Sequence, residues 1–145
     1  MVRQFKRYSR VGTNLTPGPG FTRGNPRGVI LAQPVGTEVH VGFSLCHADD
    51  QFDREKANMI AHARLANSPV TVRVDNVVEL LQNADESTLD VFCMDSGIPF
   101  RLRDTFIRTL SDVVRINFGQ KGIRRELLNP THRNRPARVV NGTTA

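Results

Sequence analysis

The stretch over residues 39–65 constrains the fold most, because the hydrophobic period changes there once, across a turn of a few residues. Val39, Val41, Phe43 and Leu45 alternate with His40, Gly42, Ser44 and Cys46, the pattern of a strand with one buried face. After His47-Ala48-Asp49-Asp50 the spacing turns helical through Phe52, Met59, Ile60 and Ala63. Asp49 or Asp50 is placed to cap that helix, and Asp53 and Glu55 put negative charge in its positive first turn. A strand that feeds directly into a helix is the expected nucleus of the fold.

The flanking segments extend this pattern. Residues 29–32 read as a strand that pairs with 38–46 through the turn Gln33-Pro34-Val35-Gly36-Thr37. The helix over 52–66 stops at Asn67-Ser68-Pro69, since proline disfavours helix at the residue before it. A strand over 70–74, a short helix over 77–82 capped by Asp75 or Asn76, a polar loop over 83–87 and a strand over 89–94 follow. Residues 99–118 carry the strongest helical stripe, Leu102, Phe106, Leu110, Val113, Val114 and Phe118, with Gly119 as its terminator and one further turn expected over 123–128. The order β-β-α-β-α-β-α predicts an α+β fold: a small, mostly antiparallel sheet of about four strands packed by two or three helices. At 145 residues the chain is long enough for one core, and the boundaries fall at 28–128. Residues 1–27, punctuated by Pro17-Gly18-Pro19-Gly20 and Gly24-Asn25-Pro26, are expected to form a basic arm without helix or strand, and 129–145 a basic tail.

Charge is unevenly distributed. The net charge of +6 is the sum of six Lys/Arg and no acid in residues 1–27, four basic against eleven acidic residues in 28–100, and ten against three in 101–145. Basic ends around an acidic middle point to contact with a polyanion, or with the acidic middle of another copy. Arg101, Arg108 and Arg115 recur every seven residues on the 99–118 helix, with Lys121, Arg124 and Arg125 beyond it, and so form a candidate phosphate-tracking stripe. Its alternative is a solvated helix face partly neutralised by pairs such as Asp104–Arg108. In the N-terminal arm Arg7 and Arg10 are interleaved with Phe5, Tyr8 and Phe21, the mixture that lets aromatics meet bases while cations meet phosphates.

Other chemistries find less support. Cys46-His47-x-Asp49 contains the residue types of a nucleophile–base pair, but neighbours at a strand end point in different directions. His40, His47, Asp49, Asp50 and His62 lack metal-ligand spacing. The acidic first turn after Asp49 repels phosphate, and neither a P-loop nor a dinucleotide fingerprint is present. Two cysteines, Cys46 and Cys93, make no disulfide framework, and the chain reads as soluble and intracellular, without a membrane span. No catalytic residue, metal or cofactor is expected.

Asp50, Gln51, Phe52, Arg54, Ile60, Ala61 and Arg64, following a strand that ends in Cys46, match the pattern Asp-Gln-Phe-x-Arg-x-x-Gly-Arg-x-Ile-Ala-x-Gly-Arg. Ala57 and Ala63 replace its glycines and Asn58 its middle arginine. Over residues 46–65 the chain thus resembles small accessory proteins of tailed bacteriophages. The resemblance implies a phage origin and an accessory or regulatory role, in the host cytoplasm or in a virion, and it carries no activity. The expected function is non-enzymatic binding of nucleic acid or another polyanion through the basic arms and the 99–118 helix. Two alternatives stand beside it. One is an oligomeric assembly or virion protein whose basic arms dock on acidic surfaces of neighbouring subunits. The other is a small-ligand or nucleotide-binding counter-defence protein with a site near Ser44, Cys46, Arg54 and Arg64.

Overall fold

The computed structural model describes residues 2–11, 25–46, 51–124, 127 and 138–142. Five strands form one antiparallel sheet in the order β4-β3-β2-β1-β5: β1 (Val2–Val11), β2 (Asn25–Val35), β3 (Glu38–Leu45), β4 (Val70–Arg73) and β5 (Arg138–Gly142). Four α-helices complete the α+β fold: α1 (Arg54–Asn67), α2 (Val74–Asn83), α3 (Glu86–Asp95) and α4 (Arg103–Phe118).

The sheet is covered on both faces. Alternation along β2 sends Ile30 and Ala32 to one side, where they join Phe5, Val39 and Val41 beneath α4, flanked by α2 and α3. Val29 and Leu31 point to the other side and pack on Ala57, Ala61 and Leu65 of α1. Phe5, Phe106 and Leu110, almost fully buried, each contribute on the order of 1.5–3 kcal/mol by leaving water. α1 lies close to the sheet because its inner face is built on alanines and because it crosses Gly42. A Cβ added at Gly42 would sit 2.6 Å from the Leu65 amide nitrogen and press on the Ala61 carbonyl.

The stripe expected over 99–118 is the core-facing side of α4, and Gly119, at φ +64°, ends it with its N–H on the Val114 carbonyl. The chain then folds back over the helix: the Ile123 amide donates to Ser111 Oγ at 2.9 Å, and Gln82 Nε2 donates to the Gly122 carbonyl at 2.9 Å. α4 is therefore buried around most of its circumference from Arg103 to Val114.

Several expectations are corrected. The basic arm over 1–27 contains β1, and the tail over 129–145 contains β5, which pairs with β1 in the register Val2↔Gly142 to Lys6↔Arg138. The two basic ends of the chain thus meet at one side of the sheet. Residues 89–94 lie within α3, not in a strand. Leu89 and Cys93 fit a helical period as well as an alternating one, and Asp85 caps the helix by accepting from the Thr88 amide at 2.8 Å. Helix α1 is capped by Asp53, which accepts from the Lys56 amide at 3.0 Å; Asp49 and Asp50, the expected caps, lie outside the described residues. Of the turn expected over 123–128, residues 125, 126 and 128 lie outside the described residues. Among the described residues no helix is long and apolar enough to cross a membrane.

Candidate nucleic-acid interface

Strand alternation on β1 decides which cations are available. Phe5, Arg7 and Ser9 face α4, whereas Lys6, Tyr8 and Arg10 face the side of α1. Arg7 Nη2 donates to Asp112 Oδ2 at 2.7 Å, and the second oxygen of Asp112 accepts from Arg115 at 3.1 Å. The Arg7 and Asp112 side chains are only 12% and 9% exposed. Nearby, Arg103 donates to Asp90 and, at 2.6 Å, to Asp104. Burial works against the charge on Arg103, and the hydrogen bonds to Asp90 and Asp104 outweigh it, so its pKa is raised.

Arg108, 6% exposed, belongs to the same interior. Burial lowers its pKa and the charge of Arg7 adds to this, while Asp104 and Asp112 oppose it. The stripe read from spacings of seven is not a common outer surface. Arg101 lies in a 3-10 turn, Phe100–Leu102, whose tighter winding takes it out of α4's phase. Arg108 points inside, and Arg115 is half-exposed but tied to Asp112. Beyond the helix Lys121 is exposed, Arg124 donates to the Ala84 carbonyl, and Arg125 lies outside the described residues.

The other side of β1 assembles a different set. The Arg54 guanidinium carbon lies 5.0 Å from the Tyr8 ring centroid and that of Arg10 5.9 Å, while Phe52 meets the ring edge-on at 6.2 Å. Asn58 Nδ2 donates to the Tyr8 hydroxyl at 2.9 Å. One helical turn on, His62 is near enough to Lys6 for the ammonium charge, after partial burial, to lower its pKa. Arg54 and Asn58 of α1 thus meet Tyr8 of β1, and His62, one turn further, lies near Lys6. Four helical residues advance about 6 Å and two strand residues about 6.7 Å, so helix and strand stay in step from Tyr8 to Lys6, while the register of β1 shifts between Ser9 and Arg10. Among the described residues Lys6 and Arg54 make no ion pair.

The set Ser44, Cys46, Arg54 and Arg64 is not gathered into one site. Arg54 and Arg64 stand near opposite ends of α1, about 15 Å apart along its axis. Arg64 instead donates to the Phe43 carbonyl at 2.9 Å, with its guanidinium over the Phe43 ring. That carbonyl lies past the last β3–β4 rung, Val41↔Val70, so Arg64 blunts an open sheet edge. Ser44 is buried and the Cys46 amide donates to the Arg27 carbonyl. His47, Asp49 and Asp50 lie outside the described residues. Burial pushes the Cys93 thiol up to about 12, which makes it a poor nucleophile at neutral pH. Among the described residues no group of three His, Cys, Asp or Glu side chains is placed to hold a metal ion. A cleft of about 440 Å³ between α2 and α3, lined by Asn76, Glu79, Leu80, Asn83, Ala84, Asp85 and Thr88, coincides with none of the anticipated residues.

The sequence places Arg10 and Arg54 in different candidate sites, offers His62 only in a set without metal-ligand spacing, and gives Lys6 and Asn58 no site of their own. The signal that joins them is Lys6-x-Tyr8-x-Arg10 at the strand period and Arg54, Asn58 and His62 at the helical period. No family model matches the chain, and no curated protein or solved structure is similar enough to match it.

Proposed function

We propose that the protein binds nucleic acid or a similar polyanion through the row of cations shared by β1 and α1, without catalysing a reaction. The observation that supports this reading is the meeting of Arg10 and Arg54 at one tyrosine, with Lys6 two residues along the same strand face and near His62, and with neither Lys6 nor Arg54 in an ion pair among the described residues. The reading keeps Arg10 from the expected set and moves the centre of binding from α4 to β1. Arg7, Arg103 and Arg108 serve the interior.

The test is the anisotropy of a fluorescein-labelled 20-base-pair duplex, titrated at several salt concentrations. Three phosphate-contacting cations give a log–log salt slope of about −2.7. A triple variant, Lys6→Gln, Arg10→Gln and Arg54→Gln, loses most of the affinity and nearly all of the slope. Equal binding by this variant, folded, sinks the proposal.

A second reading, assembly with further copies, rests on α3 and the turn after it. Met94 and Phe100 are 73% and 82% exposed, with the acidic side chains of Glu86 and Asp95 exposed on the same helix. Acidic side chains beside exposed apolar ones are what the basic end of a second copy would meet. Light scattering decides it: assembly gives a mass above the 16.2 kDa of one chain that falls as salt rises.

A further inference from the structure

From the surroundings of Tyr8 we infer that the β1–α1 row grips the phosphate backbone alone, so that bases do not stack on it and single strands, duplexes and base-free polyphosphates compete on nearly equal terms. The inference rests on the polyanion reading above and names the part of the ligand that is touched. An aromatic residue among cations ordinarily offers a bare ring to a base. Tyr8 does not. Two guanidinium groups lie over its ring, at 5.0 and 5.9 Å from the centroid, Phe52 meets it edge-on, and its hydroxyl accepts from Asn58. A base entering between ring and guanidinium would displace a cation–π contact and withdraw a cation from the phosphates it serves.

The ring instead acts as a positioning group. It holds Arg10 from the strand and Arg54 from the helix toward the same region, which restricts two long side chains before any ligand arrives. From Tyr8 to Lys6 the cations are spaced by the matched advance of helix and strand, about 6–7 Å, rather than by any base-sized slot. A ligand read through phosphates alone is bound according to its charge density, with weak dependence on sequence or strandedness.

The chain contains one tyrosine and no tryptophan, so its intrinsic emission reports on Tyr8. The experiment displaces the labelled duplex with oligo(dT), with unlabelled duplex and with inorganic polyphosphate, and records tyrosine emission at saturation with each. The expected result is displacement by all three within about threefold at equal phosphate concentration, and the same change in emission with polyphosphate as with oligo(dT). Selective quenching by oligo(dT), or displacement by nucleic acid only, overturns the inference and leaves polyanion binding intact. Failure of the duplex itself to bind removes the underlying reading, and the inference with it. Two variants separate positioning from contact. Tyr8→Leu weakens duplex binding on the order of fivefold with the salt slope unchanged, because the charges remain while their alignment is lost. Tyr8→Phe keeps the ring and restores the affinity. A Tyr8→Phe protein as weak as Tyr8→Leu places the hydroxyl, not the ring, at the ligand and contradicts the assignment.

Discussion

Lys6 and Arg7 are adjacent on β1, yet the sheet sends them into opposite chemistry. Arg7 turns toward α4 and is largely covered there against Asp112. Lys6 turns toward α1, beside His62, and makes no ion pair among the described residues. The same division separates Arg103 and Arg108, held in the interior of the α4 face, from Arg54 beside Tyr8. What differs is not charge but partners. α4 brings Asp112 to Arg7 on the sheet and pairs Asp104 with Arg103, whereas the inner face of α1 brings alanines and its flank brings Arg54, Asn58 and His62. In a basic chain the count of arginines says little about binding until burial and pairing have removed those the fold consumes.

This division is open to attack at several points. The largest effect is expected at Asp112. Asp112→Ala leaves the largely covered Arg7 without that carboxylate and lowers unfolding stability in urea by about 3–5 kcal/mol, as removal of one partner from a buried pair does. Lys6→Ala, one residue from Arg7, changes stability by no more than about 0.5 kcal/mol, as surface substitutions generally do. If the two costs are alike, the distinction between the faces falls. Gly42→Ala tests the helix side. The new methyl presses on the Ala61 carbonyl and the Leu65 amide, so α1 lifts at a cost of about 1–3 kcal/mol, and duplex affinity declines with it as Arg54 leaves Tyr8. Normal affinity in a folded Gly42→Ala protein means that the α1–β1 alignment is dispensable.

The smallest effect concerns protons. Partial burial and then Lys6 lower the pKa of His62 below its usual 6.5. Between the lowered value and 6.5 the unfolded chain holds more of this proton than the folded one, so His62 adds stability as pH rises through that window and withdraws it as pH falls. Because the side chain is exposed, solvent screens the effect and the stability change is small. A polyanion neutralising Lys6 relieves the part of the shift that Lys6 causes and draws in a fraction of a proton, so duplex affinity is slightly higher at pH 5.5 than at pH 7.5. Lys6→Gln raises the His62 pKa in a proton NMR titration; an unmoved pKa means that Lys6 does not govern this histidine.

Much of the fold was legible because it is written in local periods. The hairpin of β2 and β3, helix α1, strand β4 and the long stripe of α4 all follow from spacing and terminators. β1 was hidden because one of its faces does not read as apolar. Arg7 sits where a hydrophobe is expected, and its partner Asp112 is 105 positions away. β5 was hidden for a related reason, since a short strand in a basic tail gains its meaning only from pairing with β1. The strand expected over 89–94 fails because Leu89 and Cys93 satisfy both periods, and Asp85, a helix cap, lies in a stretch as polar as a loop. The interface was half legible. Arg10 and Arg54 stood out as residues, but their meeting at Tyr8 depends on the packing of α1, which no local pattern contains.

The most direct test of the division between the faces is an arginine Nε–Hε correlation spectrum recorded while inorganic polyphosphate is added. The resonances of Arg10 and Arg54 should move progressively and saturate together, while those of Arg7, Arg103 and Arg108 stay fixed. Movement of Arg7 or Arg108 with Arg10 and Arg54 unchanged would place binding on the α4 face and contradict the assignment.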